Sequence, residues 1–260
     1  MQASSMASDE RTPTPMPQYT RAQVLAVWAA AALPMAAAAW WFAPLSGPRD
    51  GGHVGFATAL IAWLTAGLVW QSVLVLLLVH AERGNVRWAT LKAALWLQPP
   101  THRASGRRGG RLWFVALAMA VPFWAVAWVP EWPHDPWRDL GVFLESDAGQ
   151  AFFHGNWAWY AMVVVLVTAN TVTGEELLFR GVLLPRMRAT CGRWDWLVNG
   201  LLFAAYHLHT PWAIPVAVFD ALWLAWPSRC FRSAWLGILV HSTASVQILV
   251  LLWPVVAGRG

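Results

Sequence analysis

The chain has 260 residues, 58% of them hydrophobic and 12% charged, with 21 tryptophans and a formal net charge of +5. A soluble domain carries about twice that charged fraction, and the apolar residues gather into runs of roughly 17–26, enough to cross ~30 Å of hydrocarbon. Composition therefore excludes a soluble enzyme, and the long unbroken runs exclude the alternating ten-residue strands of a membrane β-barrel.

In chain order, residues 1–21 read as a polar, disordered cytoplasmic tail, with Asp9, Glu10 and alternating Pro and Thr around Thr12–Pro17. The Ala-rich run that follows has a long, weakly basic leader, so it reads as an uncleaved anchor rather than a signal peptide. Residues 22–260 read as a single all-α domain, a polytopic transmembrane helical bundle of about seven to eight membrane helices. Spans are expected at about 23–44, 56–81, 112–129, 157–184, 196–208, 211–227 and 234–257. The fifth and sixth are short and meet at Thr210-Pro211, as a broken pair would.

Of the 18 Lys and Arg, these spans put fourteen on one side, three (Arg49, Arg138, Arg259) on the other, and Arg180 inside the bilayer. The basic side is then cytoplasmic, which places the N-terminus inside a plasma membrane, such as the inner membrane of a bacterium. The basic loop Gln98–Gly110 reads as a topology signal that meets anionic lipid. It lacks the stacking aromatics a nucleic-acid site needs, and no nucleic-acid partner is expected. The loop Pro130–Asn156 carries Glu131, Asp135, Asp139, Glu145 and Asp147 among aromatic residues and reads as an amphipathic cap at the outer interface. Cys191 and Cys230 fall in expected cytoplasmic loops, which disfavours a disulfide and leaves no Cys metal site.

Charged groups at membrane depth are costly and mark function. The last four spans hold few polar groups: Glu175, Glu176, Arg180, His207, Asp220, His241 and Ser245, besides small hydroxyls and an amide. At 1.5 Å of rise per residue, Glu175 lies about 16 Å in from Arg186, His207 about 18 Å in from Asp195 and His241 about 14 Å in from Arg232. Three helices thus bring polar groups to one level. Glu176 and Arg180 are i,i+4 and form an ion pair on one face; Glu175 points about 100° away and is free to face a polar cavity. His241 and Ser245 share a face, and Phe203 lies one turn before His207, beneath it. His209 reads as interfacial.

A carboxylate beside an imidazole activates water as a general base; a second imidazole and a hydroxyl donate to a developing oxyanion. The same glutamate and two histidines are also a donor set for Zn²⁺. Both chemistries remain open at this point.

Glu175-Glu176-x-x-x-Arg180, Phe203-x-x-x-His207, and His241 followed four residues later by Ser245 resemble the CPBP family, which comprises CAAX prenyl endopeptidases and bacteriocin-processing intramembrane proteases. The resemblance covers about residues 157–250, the expected catalytic core. It implies a glutamate-type intramembrane endopeptidase that requires no metal. Glu175 and His207 activate the attacking water, and His241 with Ser245 stabilises the oxyanion. Glu176, Arg180 and Phe203 support the site. If Zn is bound instead, Glu175, His207 and His241 are its ligands. The family usually has Asn at the place of Ser245. The implied partner is a membrane-bound peptide or lipidated protein substrate. The alternative is a non-catalytic membrane scaffold or bacteriocin-immunity protein of the same fold that binds a peptide.

Overall fold

The computed structural model describes residues 15–47 and 52–259; among them the regular structure is helical, besides a single antiparallel bridge between Thr101 and Arg108. In chain order the main helices are α1 (Arg21–Ser46) and α2 (Gly52–Arg83), the short α3 (Trp88–Ala94) and α4 (Phe114–Trp124), and α5 (Leu140–Glu145) and α6 (Asp147–Phe153). There follow α7 (Trp157–Arg186), α8 (Asp195–Tyr206), α9 (Ile214–Phe231) and α10 (Ala234–Val256). The wider π-turn interrupts α1 at Ala38–Phe42 and α7 at Ala169–Gly174 and Leu177–Leu183.

Among the described residues, α1, α2, α7 and α10 are long and apolar enough to cross a membrane. The protein is therefore an integral membrane protein with four such helices, and the expected seven to eight membrane helices are corrected to four. The runs at 112–129, 196–208 and 211–227 fall short for physical reasons. The 11 residues of α4 rise about 17 Å and the 12 of α8 about 18 Å, against ~30 Å of hydrocarbon. The 18 residues of α9 are diluted by Asp220, Pro227 and Arg229. The helices α8 and α9 form a hairpin instead, its turn spanning residues 207–213.

Of the expected tail, residues 1–14 lie outside the described residues. Gln18–Thr20 are strapped to the end of α7: the Tyr19 amide donates to Arg186 O at 2.8 Å and Thr190 Oγ1 donates to Tyr19 O at 2.5 Å. Thr20 then opens α1 with a capping box, accepting from the Gln23 amide at 3.3 Å while Gln23 Oε1 accepts from the Thr20 amide at 2.9 Å.

The second half of α7 is buried on every side; Leu178, Phe179, Val182 and Leu183 have no exposed surface. Such a helix forms the centre of its bundle. Its neighbours close in through small residues, as membrane helices do. A Cβ on Gly200 of α8 would sit 2.8 Å from that of Ala221 on α9. Away from water, indole N–H groups need acceptors. Trp28 accordingly donates to Leu202 O and Trp40 to Leu208 O, each at 2.8 Å, which stitches α1 to α8 and its turn.

The basic end is tied by Arg186, fully buried at the end of α7. Its guanidinium donates to Glu82 Oε2 at 2.5 Å and to the carbonyls of Ala94 and Val182 at 3.1 and 2.9 Å. One side chain thus caps the C-terminus of α7 and joins it to α2 and α3. Replacing Arg186 with Leu strands Glu82 and those carbonyls. The expected loss of stability is about 3–5 kcal/mol, read as a lowered unfolding midpoint in detergent, with Arg186→Lys falling between.

Candidate active site

The site is built on the π-turns of α7. Gly174 makes the first one possible: a Cβ there would lie 2.6 Å from Ala169 O and 3.1 Å from Leu68 O of α2. A π-turn brings residue i−5 under residue i, where an α-helix would bring i−4. Asn170 therefore meets Glu175. With its amide nitrogen toward the carboxylate, Asn170 donates to Glu175 Oε2 at 2.6 Å and Oε1 at 2.8 Å. From the other side the Tyr206 hydroxyl, which accepts from Gln71 Nε2 at 2.7 Å, faces the same carboxylate. The i+4 logic of the sequence reading passed over Asn170. The available signal was an amide five residues before a buried acid with a glycine between them.

Glu176 and Arg180 are both wholly buried, with Oε1 and Nη1 3.2 Å apart. Arg180 has no well-aligned hydrogen bond, so the contact is electrostatic. Its guanidinium lies over the Phe203 ring at 4.2 Å, a cation–π contact that a dry site strengthens. The same Glu176 oxygen accepts from His241 Nδ1 at 3.1 Å. His241 therefore joins the Glu176–Arg180 pair directly, across helices that i,i+4 spacing could not relate. Gly237, one turn earlier on α10, opens the space: a Cβ there would meet Glu176 Oε2, Ser228 Oγ at 3.1 Å and Arg180 Cγ at 3.3 Å.

His207 ends α8. Its Nδ1 donates to Phe203 O at 2.9 Å, since a carbonyl only accepts, and Nε2 is left with a free lone pair. Phe203 meets the His207 ring edge-on at 5.0 Å and the His241 ring at 6.1 Å, so one phenyl ring separates and orients both imidazoles. His209 stacks against His207 at 5.4 Å. Ser245 Oγ donates to Thr171 Oγ1 at 3.3 Å, and Thr171 in turn donates to Val167 O at 2.9 Å. Asp220, on α9, lies within electrostatic reach of His241 and Arg180. The structure thus brings Glu175, Glu176, Arg180, Phe203, His207 and His241 into one cluster from α7, α8 and α10. Ser245 is engaged by α7 through Thr171. Asn170, Thr171, Tyr206, Gln71 and Gly237 complete it and had not been singled out from sequence.

As a zinc site this cluster does not fit. Among the described residues, the group of three acidic or histidine side chains whose ligand atoms all lie within 4.8 Å of one another is Glu131, His134 and Asp139, not Glu175, His207 and His241. Two cavities lie elsewhere. One of about 520 Å³ at the basic end is lined by His102, Arg103, Asp195 and Arg229; an apolar groove of about 510 Å³ runs between α2, α3 and α7.

Residues 155–246, which hold every member of the cluster but Gln71, match the family model described as Type II CAAX prenyl endopeptidase Rce1-like. No curated protein and no solved structure matches the chain.

Gly237→Ala drives a methyl group into Glu176 and is expected to destabilise the protein by about 1–3 kcal/mol. Gly200→Ala, whose Cβ meets another methyl group, is the comparison in the same unfolding experiment.

Proposed function

We propose that the chain, whose residues 155–246 match the Rce1-like CAAX prenyl endopeptidase family model, is an intramembrane endopeptidase that hydrolyses a peptide bond of a membrane-bound peptide or lipidated protein. One observation carries the proposal: a nearly buried carboxylate, held by side-chain donors, shares a cluster with two imidazoles from separate helices.

Glu175 is the general base. Asn170 and Tyr206 hold its oxygens so that a lone pair faces the water. His207, its Nδ1–H fixed on Phe203 O, offers Nε2 as the second acceptor that orients the water. As the water oxygen bonds to the carbonyl carbon, Glu175 takes its proton and later delivers it to the leaving amine when the C–N bond breaks. His241 donates to the oxyanion. Its Nδ1–H rests on Glu176, so a protonated ring keeps Nε2–H free for the substrate and its charge is balanced by that carboxylate. Glu176, Arg180 and Phe203 position it. No step requires a metal. The end of the molecule that carries most of the arginines faces the cytoplasm.

Ser245 directs its hydroxyl proton to Thr171, so it contributes less than the Asn usual at this place in the family. Loss of a full oxyanion donor costs about 10²–10³ in rate. His241→Ala is expected to lose that much and Ser245→Ala less than about tenfold, measured as turnover of the same peptide.

The test is cleavage of a panel of prenylated and unmodified membrane peptides by the purified protein in lipid. Glu175→Gln is expected to reduce turnover by about 10²–10⁴ with the fold intact. Full turnover in that variant would remove Glu175 from the reaction. Peptide binding without any turnover in the wild type would favour a non-catalytic scaffold or immunity protein.

A further inference from the structure

The proposed base is held by neutral side chains, and the support behind them reaches outside residues 155–246. Gln71, on α2, has no exposed surface. Its amide lies 2.7 Å from the Tyr206 hydroxyl, and Tyr206 in turn faces the Glu175 carboxylate. Tyr206 has one proton to give, so its direction decides what this chain of contacts does. An ionised carboxylate only accepts. The Tyr206 proton therefore belongs to Glu175, and the Tyr206 oxygen must accept from its other neighbour. Gln71 meets that need with Nε2, which leaves its Oε1 buried without a donor.

The surroundings hold both groups in place. Tyr206 is wholly buried, its ring 5.5 Å from that of Phe179 and 5.3 Å from that of His209. Gln71 is carried beside two contacts that α2 makes with the π-turn of α7. A Cβ on Gly174 would come within 3.1 Å of Leu68 O, and Ser72 Oγ donates to Thr173 Oγ1 at 2.9 Å. These contacts set the register of α2 one residue before Glu175. A buried acceptor without a donor is costly, and an orphan of that kind in a folded protein calls for a reason. Here the reason is the direction that the other end of the amide imposes on Tyr206.

We propose that Gln71 is a positioning residue of the reaction, which fixes the Tyr206 proton on Glu175 and so aims that carboxylate at the water. The inference rests on Glu175 acting as the base. Without the Gln71 amide the Tyr206 hydroxyl is free to turn about its C–O bond, and Glu175 keeps only Asn170 as a fixed donor. The base then loses orientation and not identity. Gln71 acts through Tyr206, so the chemical step slows while peptide binding is unchanged. The helix α2 thereby takes part in the chemistry from outside the residues that match the family model.

The full-length protein in lipid is assayed on the membrane peptide it cleaves, as wild type, Gln71→Met, Tyr206→Phe and the double variant. Gln71→Met keeps the volume and loses the donor; it is expected to lower kcat about fivefold to tenfold with KM unchanged. The double variant is expected to be no slower than Tyr206→Phe alone. The substitution also removes the unpaired Oε1, so the unfolding midpoint is expected to hold or rise while kcat falls. A merely structural glutamine would give the reverse. If Gln71→Met does not fold, Gln71→Leu takes its place in the same cycle. A wild-type kcat in Gln71→Met, or a further loss in the double variant, overturns the role of Gln71 and leaves Glu175 as the base if Glu175→Gln is inactive. Full turnover in Glu175→Gln, or a wild type that binds peptide without cleaving it, overturns both.

Discussion

A guanidinium with no exposed surface must be neutralised where it stands, and the rest of the site follows from how Arg180 is neutralised. Glu176 supplies the charge from one turn away and Phe203 the π-face from α8. Removing one partner of a buried pair leaves an uncompensated charge, which costs far more than the pair contributes. The helices α7, α8 and α10 are therefore obliged to meet at this level. Gly237 on α10 is the concession that lets Glu176 approach.

Two adjacent glutamates consequently acquire different surroundings. Glu176 is bound to a cation and to His241, so its charge is committed to architecture. Glu175 is held by the neutral donors Asn170 and Tyr206, which orient it without cancelling its basicity. The π-turn achieves this separation, because it rotates the chain enough to bring an amide rather than a threonine beneath the catalytic candidate. In the proposed reaction Glu176 acts through His241, and Glu175 acts on water.

Much of this was legible before any coordinates. The four long apolar runs became α1, α2, α7 and α10, and the Glu176–Arg180 approach and the place of Phe203 beneath His207 follow from i,i+4 spacing. What misled was hydropathy without length. The runs near 112–129, 196–208 and 211–227 are apolar, but tighter 3-10 turns at Gly110–Trp113 and Ala125–Trp128, the break at His207–Thr210 and the charges of α9 leave pieces too short or too polar to cross. Contacts between helices were out of reach in another way. Periodicity relates residues on one helix, so it could not foresee that His241 would take Glu176 as its partner. Nor does an α-helical period register Asn170 under Glu175.

The central claim is that Glu176 and His241 are energetically one unit with Arg180, and a double-mutant cycle measures it. Glu176→Gln, His241→Ala and the double variant are compared by unfolding in detergent. The account predicts a coupling energy of about 1–3 kcal/mol, the double variant being less destabilised than the two single losses added together. Additive losses would show that the two side chains do not act together and would contradict the account.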